Sequence, residues 1–215
     1  MTYLELCNKV LRLMRGDTVT TVQAPDDVVV EMVKDYVNDG KRLVEESHNW
    51  NMLRDYWTVT TEAGNSFVSI TGAGRTPVLF DVYNVTGGPL QQTTNRQIAY
   101  LKSQSGTENI PYYYAVSGID GNGDVKLLLH PTPDTEYTLT TEGFRKQADL
   151  SQDDDVLLVS SQPVVYYALA LALRERGEVG GQTAAEVFGM AKQYLSDAIA
   201  LDTSLNQYEY DWYAN

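Results

Sequence analysis

The 215 residues are 43% hydrophobic, 21% charged and 10% aromatic, the composition of a chain that folds around a core, and the length fits one large domain or a domain carrying an insertion. No apolar run approaches the roughly 18 residues that cross a bilayer as a helix. Sixteen Lys and Arg stand against 29 Asp and Glu, a formal charge of −13, with three basic and ten acidic side chains in residues 151–215; this counts against tight binding of nucleic acid as the main activity, since that needs cations to displace counterions from phosphates, and leaves room for contact with DNA in passing.

From Tyr3 to Met14 the apolar residues Leu4, Cys7, Val10, Leu11 and Met14 recur at helical spacing, and Gly16 is a stop signal. No basic stretch and apolar block opens the chain, so no signal peptide is expected and the sequon at Asn84 carries no meaning. Pro25-Asp26-Asp27 supplies a preset, acidic first turn for a second helix, whose stripe of Val29, Val33, Tyr36, Val37, Gly40, Leu43, Val44 and Trp50 runs about seven turns. Gly40 costs about 1 kcal/mol relative to Ala inside a helix and marks the close approach of another. Near Tyr56 the period changes. Short Thr-, Val- and Tyr-rich strands are expected at 57–61, 67–70, 78–85, 112–117, 125–130 and 137–143, with a helix at 95–103 in which Ile98 and Leu101 cover a sheet. Helical signals return at Ser160 or Ser161, with Pro163 in the first turn and Gly177 as the stop. A last helix opens at Thr183-Ala-Ala-Glu186, with the spacing of a capping box, and continues through Val187, Ala191, Tyr194, Leu195, Ala198 and Ile199. The fold class is therefore α+β: N- and C-terminal helices (1–55 and 151–205) form one bundle, an antiparallel β-rich domain (56–150) is inserted, and an aromatic and acidic tail (206–215) follows.

Signatures of chemistry are weak. Gly40-Lys41 lacks the rest of a phosphate loop, no nucleophile elbow occurs, and neither His48 nor His130 has a neighbourhood that pairs it with a nucleophile. Cys7 alone makes no internal disulfide, and two histidines make no structural zinc site. Asp120-Gly-Asn122-Gly-Asp124 imitates the first three ligand positions of a calcium loop, but Val125 and Pro131 stand where Gly and Glu are required, and a glycine-rich turn explains the segment more simply. Asp153-Asp154-Asp155 reads as a solvated loop, because three successive residues cannot all face one ion. No catalytic residue, cofactor or metal is expected. The segment Tyr208-Glu209-Tyr210-Asp211-Trp212-Tyr213 alternates aromatic and acidic residues where small polar ones are usual. It reads either as a tail folded on its own domain or as an arm docking on a neighbour, in which case these six residues are the partner-binding site.

The order of the pieces resembles the head-to-tail adaptor family of short-tailed bacteriophages, also called tail tubular protein A or head completion proteins. Three stretches carry the likeness: Glu45-Glu-Ser-His-Asn-Trp50-Asn-Met-Leu-Arg54 leading into Thr-rich strands; Pro111-Tyr-Tyr-Tyr-Ala-Val-Ser-Gly118 followed by Leu127-Leu-Leu-His-Pro131-Thr-Pro133, Tyr137-Thr-Leu-Thr140 and the aspartates 153 to 155; and the helix Pro163–Arg176 with its Ala-rich successor. The resemblance implies a virion protein, assembled in the host cytoplasm, that forms a twelve-fold ring between a portal protein and a tail nozzle. DNA then passes through the ring, and an acidic wall would keep phosphates from sticking. A tail-associated glycan hydrolase and a carbohydrate-binding module remain the competing readings; the 15 tyrosines suit sugar stacking as well as protein interfaces.

Overall fold

A computed structural model describes residues 1–23, 27–72, 78–104, 106, 108–175 and 182–205, with the backbone alone at 78–80 and 182. The helices are α1 (Tyr3–Leu13), α2 (Val28–Ser47), α3 (Asn95–Gln104), α4 (Ser161–Glu175) and α5 (Gln182–Leu205). The strands are β1 (Arg54–Thr60), β2 (Phe67–Ser69), β3 (Val78–Asn84), β4 (Gly88–Pro89), β5 (Gln91–Gln92), β6 (Tyr113–Ile119), β7 (Val125–His130) and β8 (Thr138–Phe144). This α+β chain divides into two compact units, Arg54–Lys146 and a helical unit built from Met1–Leu53 with the described residues from Gln147 onward.

Both ends of α1 are closed by local chemistry. The Thr2 hydroxyl accepts from the Glu5 amide, and the Glu5 carboxylate accepts from the Thr2 amide, so two orphan donors are satisfied reciprocally. At the other end the Gly16 amide donates to Leu11 O and the Arg15 amide to Arg12 O, the paired bonds of a Schellman motif. The residue in the left-handed position is Arg15, at φ 59°, one place before the glycine expected to end the helix. An L side chain there costs about 1 kcal/mol, so Arg15→Gly is expected to stabilise the helical unit by about that amount in urea titration; an unchanged or lower midpoint would contradict the strain.

Asp27, expected inside the first turn of α2, is its cap: its carboxylate accepts from the Val29 amide at 2.8 Å. Pro25 and Asp26 lie outside the described residues, as does Gly177, the expected stop of α4. The helix ends at Ser47, not Trp50. The Trp50 indole folds back and donates to Val44 O at 2.8 Å, which buries the ring at helical register without a helix beneath it. The buried face also differs from the apolar stripe: Val30, Val33, Val37, Gly40, Lys41, Val44 and Glu45 are inside, and Leu43 is exposed.

Helix α4 is the centre of this unit, packing against α1, α2 and α5. Val164, Val165, Ala168, Leu169, Ala170, Ala172 and Leu173 are all buried, and a helix apolar on every side is one that is surrounded. Gly40 permits the closest approach, since a Cβ at this position would stand 2.8 Å from Val164 O and 3.3 Å from the Ala168 amide nitrogen. The extended segment before α4 straps the unit together. Its Asp155 and Asp153 carbonyls accept from the Tyr3 and Leu4 amides, and its Leu150 exchanges two hydrogen bonds with the Asn38 side chain. Gln147 O accepts from the Lys41 ammonium at 2.6 Å.

In the other unit the order β1-β8-β3-β4 forms one sheet and β2-β7-β6-β5 the second. Trp57, Val59, Val82 and Leu139 from the first sheet meet Val68, Tyr114, Val125, Leu127 and Leu129 from the second in one core, a sandwich in which alternate residues of each strand face inward. Ile98 of α3 is buried where α3 packs on β6 and β7. The sheets are not wholly antiparallel: β5 runs parallel to β6. The cause is a crossing that periodicity could not reveal. Leu90 alone separates β4 in one sheet from β5 in the other, its amide donating to Val82 O and its side chain entering the core.

His130 sits at the end of β7, buried, with its ring stacked on Tyr113 at 6.4 Å and Nδ1 without a hydrogen-bond partner among the described residues. Burial, with a smaller contribution from Lys102, lowers its pKa below the ordinary 6.5. An unfolded chain regains the ordinary value and binds more protons between the two, so stability present in full above about pH 6.5 declines as pH falls below it. A resonance titration of the His130 ring should have its midpoint below that of a free imidazole, and His130→Asn should flatten the fall in melting temperature between pH 7 and 5. A midpoint at or above 6.5 would contradict the burial argument.

Candidate interaction surfaces

The two acidic motifs prove to be turn chemistry. Asp120 Oδ1 accepts from the Asn122 and Asp124 amides at 2.8 and 3.0 Å, and Gly123 takes φ 90°, so the segment is an Asx-stabilised reversal between β6 and β7. Those backbone donors hold the Asp120 carboxyl below its usual range. Asp153 accepts from the Thr21 hydroxyl and the Val22 amide, both at 2.7 Å, and Asp155 from the Ser151 and Gln152 amides. Asp154 faces solvent. The three carboxylates diverge, and among the described residues no group of three His, Cys, Asp or Glu could hold a metal ion. Cys7 is buried, and burial pushes its thiol pKa up to about 12, which leaves too little thiolate for nucleophilic work near neutral pH.

His48 is brought beside a carboxylate that sequence reasoning did not connect to it. Its Nε2 lies 3.1 Å from Asp202 Oδ2, and Asp202, itself buried, also accepts from the Asn51 backbone amide at 3.2 Å and the Asn51 side-chain amide at 3.1 Å. The Asn51 side chain donates to Asp202 O as well. These bonds tie the turn after α2 to the last turns of α5, and the His48 ring packs edge-on to Trp50 at 5.2 Å. The cluster is a clasp, and no nucleophile is part of it.

Around the clasp lies the clearest unpartnered surface. Trp50, Met52, Leu158, Leu201 and Leu205 line a groove of about 310 Å³, and Met52 is 65% and Leu201 72% exposed. Further back on α5, Phe188 and Met190 are also exposed. The expected buried stripe of α5 is only partly covered: Ala191 is fully buried, but Val187, Tyr194, Leu195, Ala198 and Ile199 are half-buried. Apolar side chains left this exposed beside a half-covered helical stripe form a candidate contact surface.

The β sandwich carries a second, polar concavity of about 350 Å³ along the edge strand β2, lined by Thr60, Glu62, Asn65, Phe67 and Lys126. There the Lys126 ammonium stands 4.2 Å from the centre of the half-exposed Phe67 ring, and Lys102 stands 5.9 Å from it while donating to Ser66 Oγ. The six residues predicted from the sequence as partner-binding, Tyr208, Glu209, Tyr210, Asp211, Trp212 and Tyr213, lie outside the described residues.

The described surface therefore offers contact areas, clasps and capped turns, with no catalytic constellation among its residues. A comparison with curated proteins finds no match. The family model of the SU10 adaptor protein matches residues 1–212, nearly the whole chain, and the chain accordingly belongs to this family of bacteriophage adaptor proteins, whose role is structural.

Proposed function

We propose that the protein is a head-to-tail connector of the virion, assembled as a ring of about twelve copies between a portal protein and a tail nozzle, through which DNA leaves. The observation that carries this reading is the match of the adaptor family over residues 1–212; the apolar exposure of α5 supports it, because a ring needs a complementary surface on every copy. The formal charge of −13 suits a channel wall that must not retain phosphates. In this proposal residues 1–55 and 151–205 form the ring body, residues 56–150 the inserted domain, and Tyr208, Tyr210 and Trp212 anchor on the portal or the adjacent subunit, with Glu209 and Asp211 meeting basic residues of that partner.

The test is negative-stain electron microscopy of the full-length protein mixed with portal particles. Rings stacked on one face of the portal are the expected image. Deleting residues 206–215 is expected to abolish stable decoration while the circular-dichroism melt stays within a few degrees of wild type. Portal particles that remain bare with the full-length chain would sink the connector reading, and undiminished decoration by the truncated chain would remove the segment from the interface.

A further inference from the structure

We infer that the outer side of α5 in one copy of the protein packs against the outer side of α1 in the next, a contact that rests on the connector reading and names the two surfaces its ring would join. Val187, Met190, Tyr194, Ala198, Leu201 and Leu205 recur every three or four residues along about five turns of α5. That is a narrow apolar seam, of the width one further helix covers. Met190 is 44%, Leu201 72% and Leu205 62% exposed, and the Tyr194 ring is held against Tyr166 of α4 with centroids 4.8 Å apart. The buried residues of α5, Ala184, Ala191 and Asp202, lie about a quarter-turn further round, so the seam borders the covered side and faces out.

Charge selects the occupant. The free margin of the seam carries Glu186, Gln193 and Asp197, all exposed. Lys192, the one cation in the sequence of α5, stands on the other side over the Phe188 ring. A second α5 is a poor partner: Asp197 lies near the middle of the seam, so in-register pairing in either direction sets it against its own counterpart. The outer side of α2 repeats the conflict, with Glu31 and Asp35 exposed.

Helix α1 carries the opposite charge. Lys9 is half-buried and Arg12 and Arg15 are exposed, with Leu13 beside them 44% exposed. Among the described residues none of these three cations is in an ion pair, whereas Lys34, Lys41 and Arg42 of α2 are each paired within their own chain. Helix α1 packs on α2 and α4, and α5 on α4, so the two faces are separate surfaces of one copy. Joining them is a head-to-tail contact that repeats from copy to copy until a ring closes. The 11 residues of α1 span about 16 Å, the length of α5 between Met190 and Leu201. Leu13 enters the seam there, and Lys9 and Arg12 meet its acidic margin.

The experiment uses the full-length protein with two added surface thiols, Asp17→Cys just beyond α1 and Gln193→Cys on the margin of α5. They are joined by a flexible bismaleimide at about 0.1 mM protein in low salt, where surface charges are least screened. Cys7 is buried and its thiol pKa is pushed up, so it supplies no background. Denaturing gels should show a ladder of covalent oligomers beyond the dimer, with neither single-cysteine chain forming dimers. Lys9→Glu/Arg12→Glu should cut the ladder about tenfold, and adding Glu186→Lys/Asp197→Lys should restore it; melting curves confirm that each variant is folded. Absence of the ladder overturns the inference, as does a ladder that charge reversal leaves unchanged or that the second reversal fails to restore. Dimers from either single-cysteine chain would reveal a like-with-like contact and overturn it too. Portal decoration by the unsubstituted chain is scored separately. Decoration without a ladder would refute this contact and leave the connector reading standing, and a ladder with bare portals would do the reverse.

Discussion

Glu45→Ala should destabilise the helical unit by about 3 kcal/mol, at the lower end of what breaking a buried ion pair costs. Lys41 and Glu45 lie one turn apart on the buried face of α2. The ammonium stands 3.3 Å from Glu45 Oε1, with both side chains 1% exposed. Removing the carboxylate leaves the cation without its nearest counter-charge in a place water does not reach. Two neighbours soften the loss: Gln147 O at 2.6 Å, and Asp149, whose Oδ1 lies 3.9 Å away. Asp149 is already engaged by the Arg42 guanidinium, which holds its carboxyl below the usual range, and its half-exposed position weakens its pull on the ammonium. Replacing both partners, Lys41→Met with Glu45→Leu, should return stability to within about 1–2 kcal/mol of wild type, the remaining cost including the unpaired Gln147 carbonyl. Equilibrium denaturation with a constant m-value measures both variants. If Glu45→Ala lies within 1 kcal/mol of wild type, the pair is hydrated and the buried face of α2 is misassigned.

That pair also shows where sequence reading stopped. Neither Lys41 nor Glu45 was among the residues expected inside α2, because hydropathy scores each residue alone and cannot see that one partner neutralises the other. Asp202 and His48 were equally opaque, standing 154 positions apart and meeting only after α5 folds across the turn that follows α2. The β region was more open to reading. Alternating Thr, Val and Tyr between turn residues located β1, β2, β3, β6, β7 and β8 to within a few positions, whereas β4 and β5, two residues each, are too short to have a period. Helix α5 misled in the other direction. Of its expected stripe only Ala191 is fully buried, with Val187, Tyr194, Leu195, Ala198 and Ile199 half-covered, and the apolar Met190, Leu201 and Leu205, outside that stripe, are exposed. A single chain's periodicity shows which face of a helix is apolar; it does not tell whether that face is covered by its own fold or by a neighbour.

Gly40 was legible as a contact, and it supports the sharpest comparison. Gly40→Ala should lower stability by about 1–2 kcal/mol, and Gly40→Leu by more than about 3 kcal/mol, although either residue is a better helix former than glycine by nearly 1 kcal/mol. The opposing effect is steric. A Cβ on residue 40 would stand 2.8 Å from Val164 O and 3.3 Å from the Ala168 nitrogen, and these are backbone atoms of the central helix that cannot step aside as a side-chain tip can. To admit the methyl, α2 and α4 must separate, and the contacts of Val37 and Val44 with their surroundings loosen with them. Gly189 in α5 is the internal control, because a Cβ there meets nothing within 4 Å. The same change, Gly189→Ala, should therefore raise stability by about 1 kcal/mol through helix propensity alone. Opposite signs for one substitution at two helical glycines, read from paired urea titrations, are the expected result. A stabilising Gly40→Ala would mean that α2 and α4 are farther apart than described, and the glycine would then have no packing role.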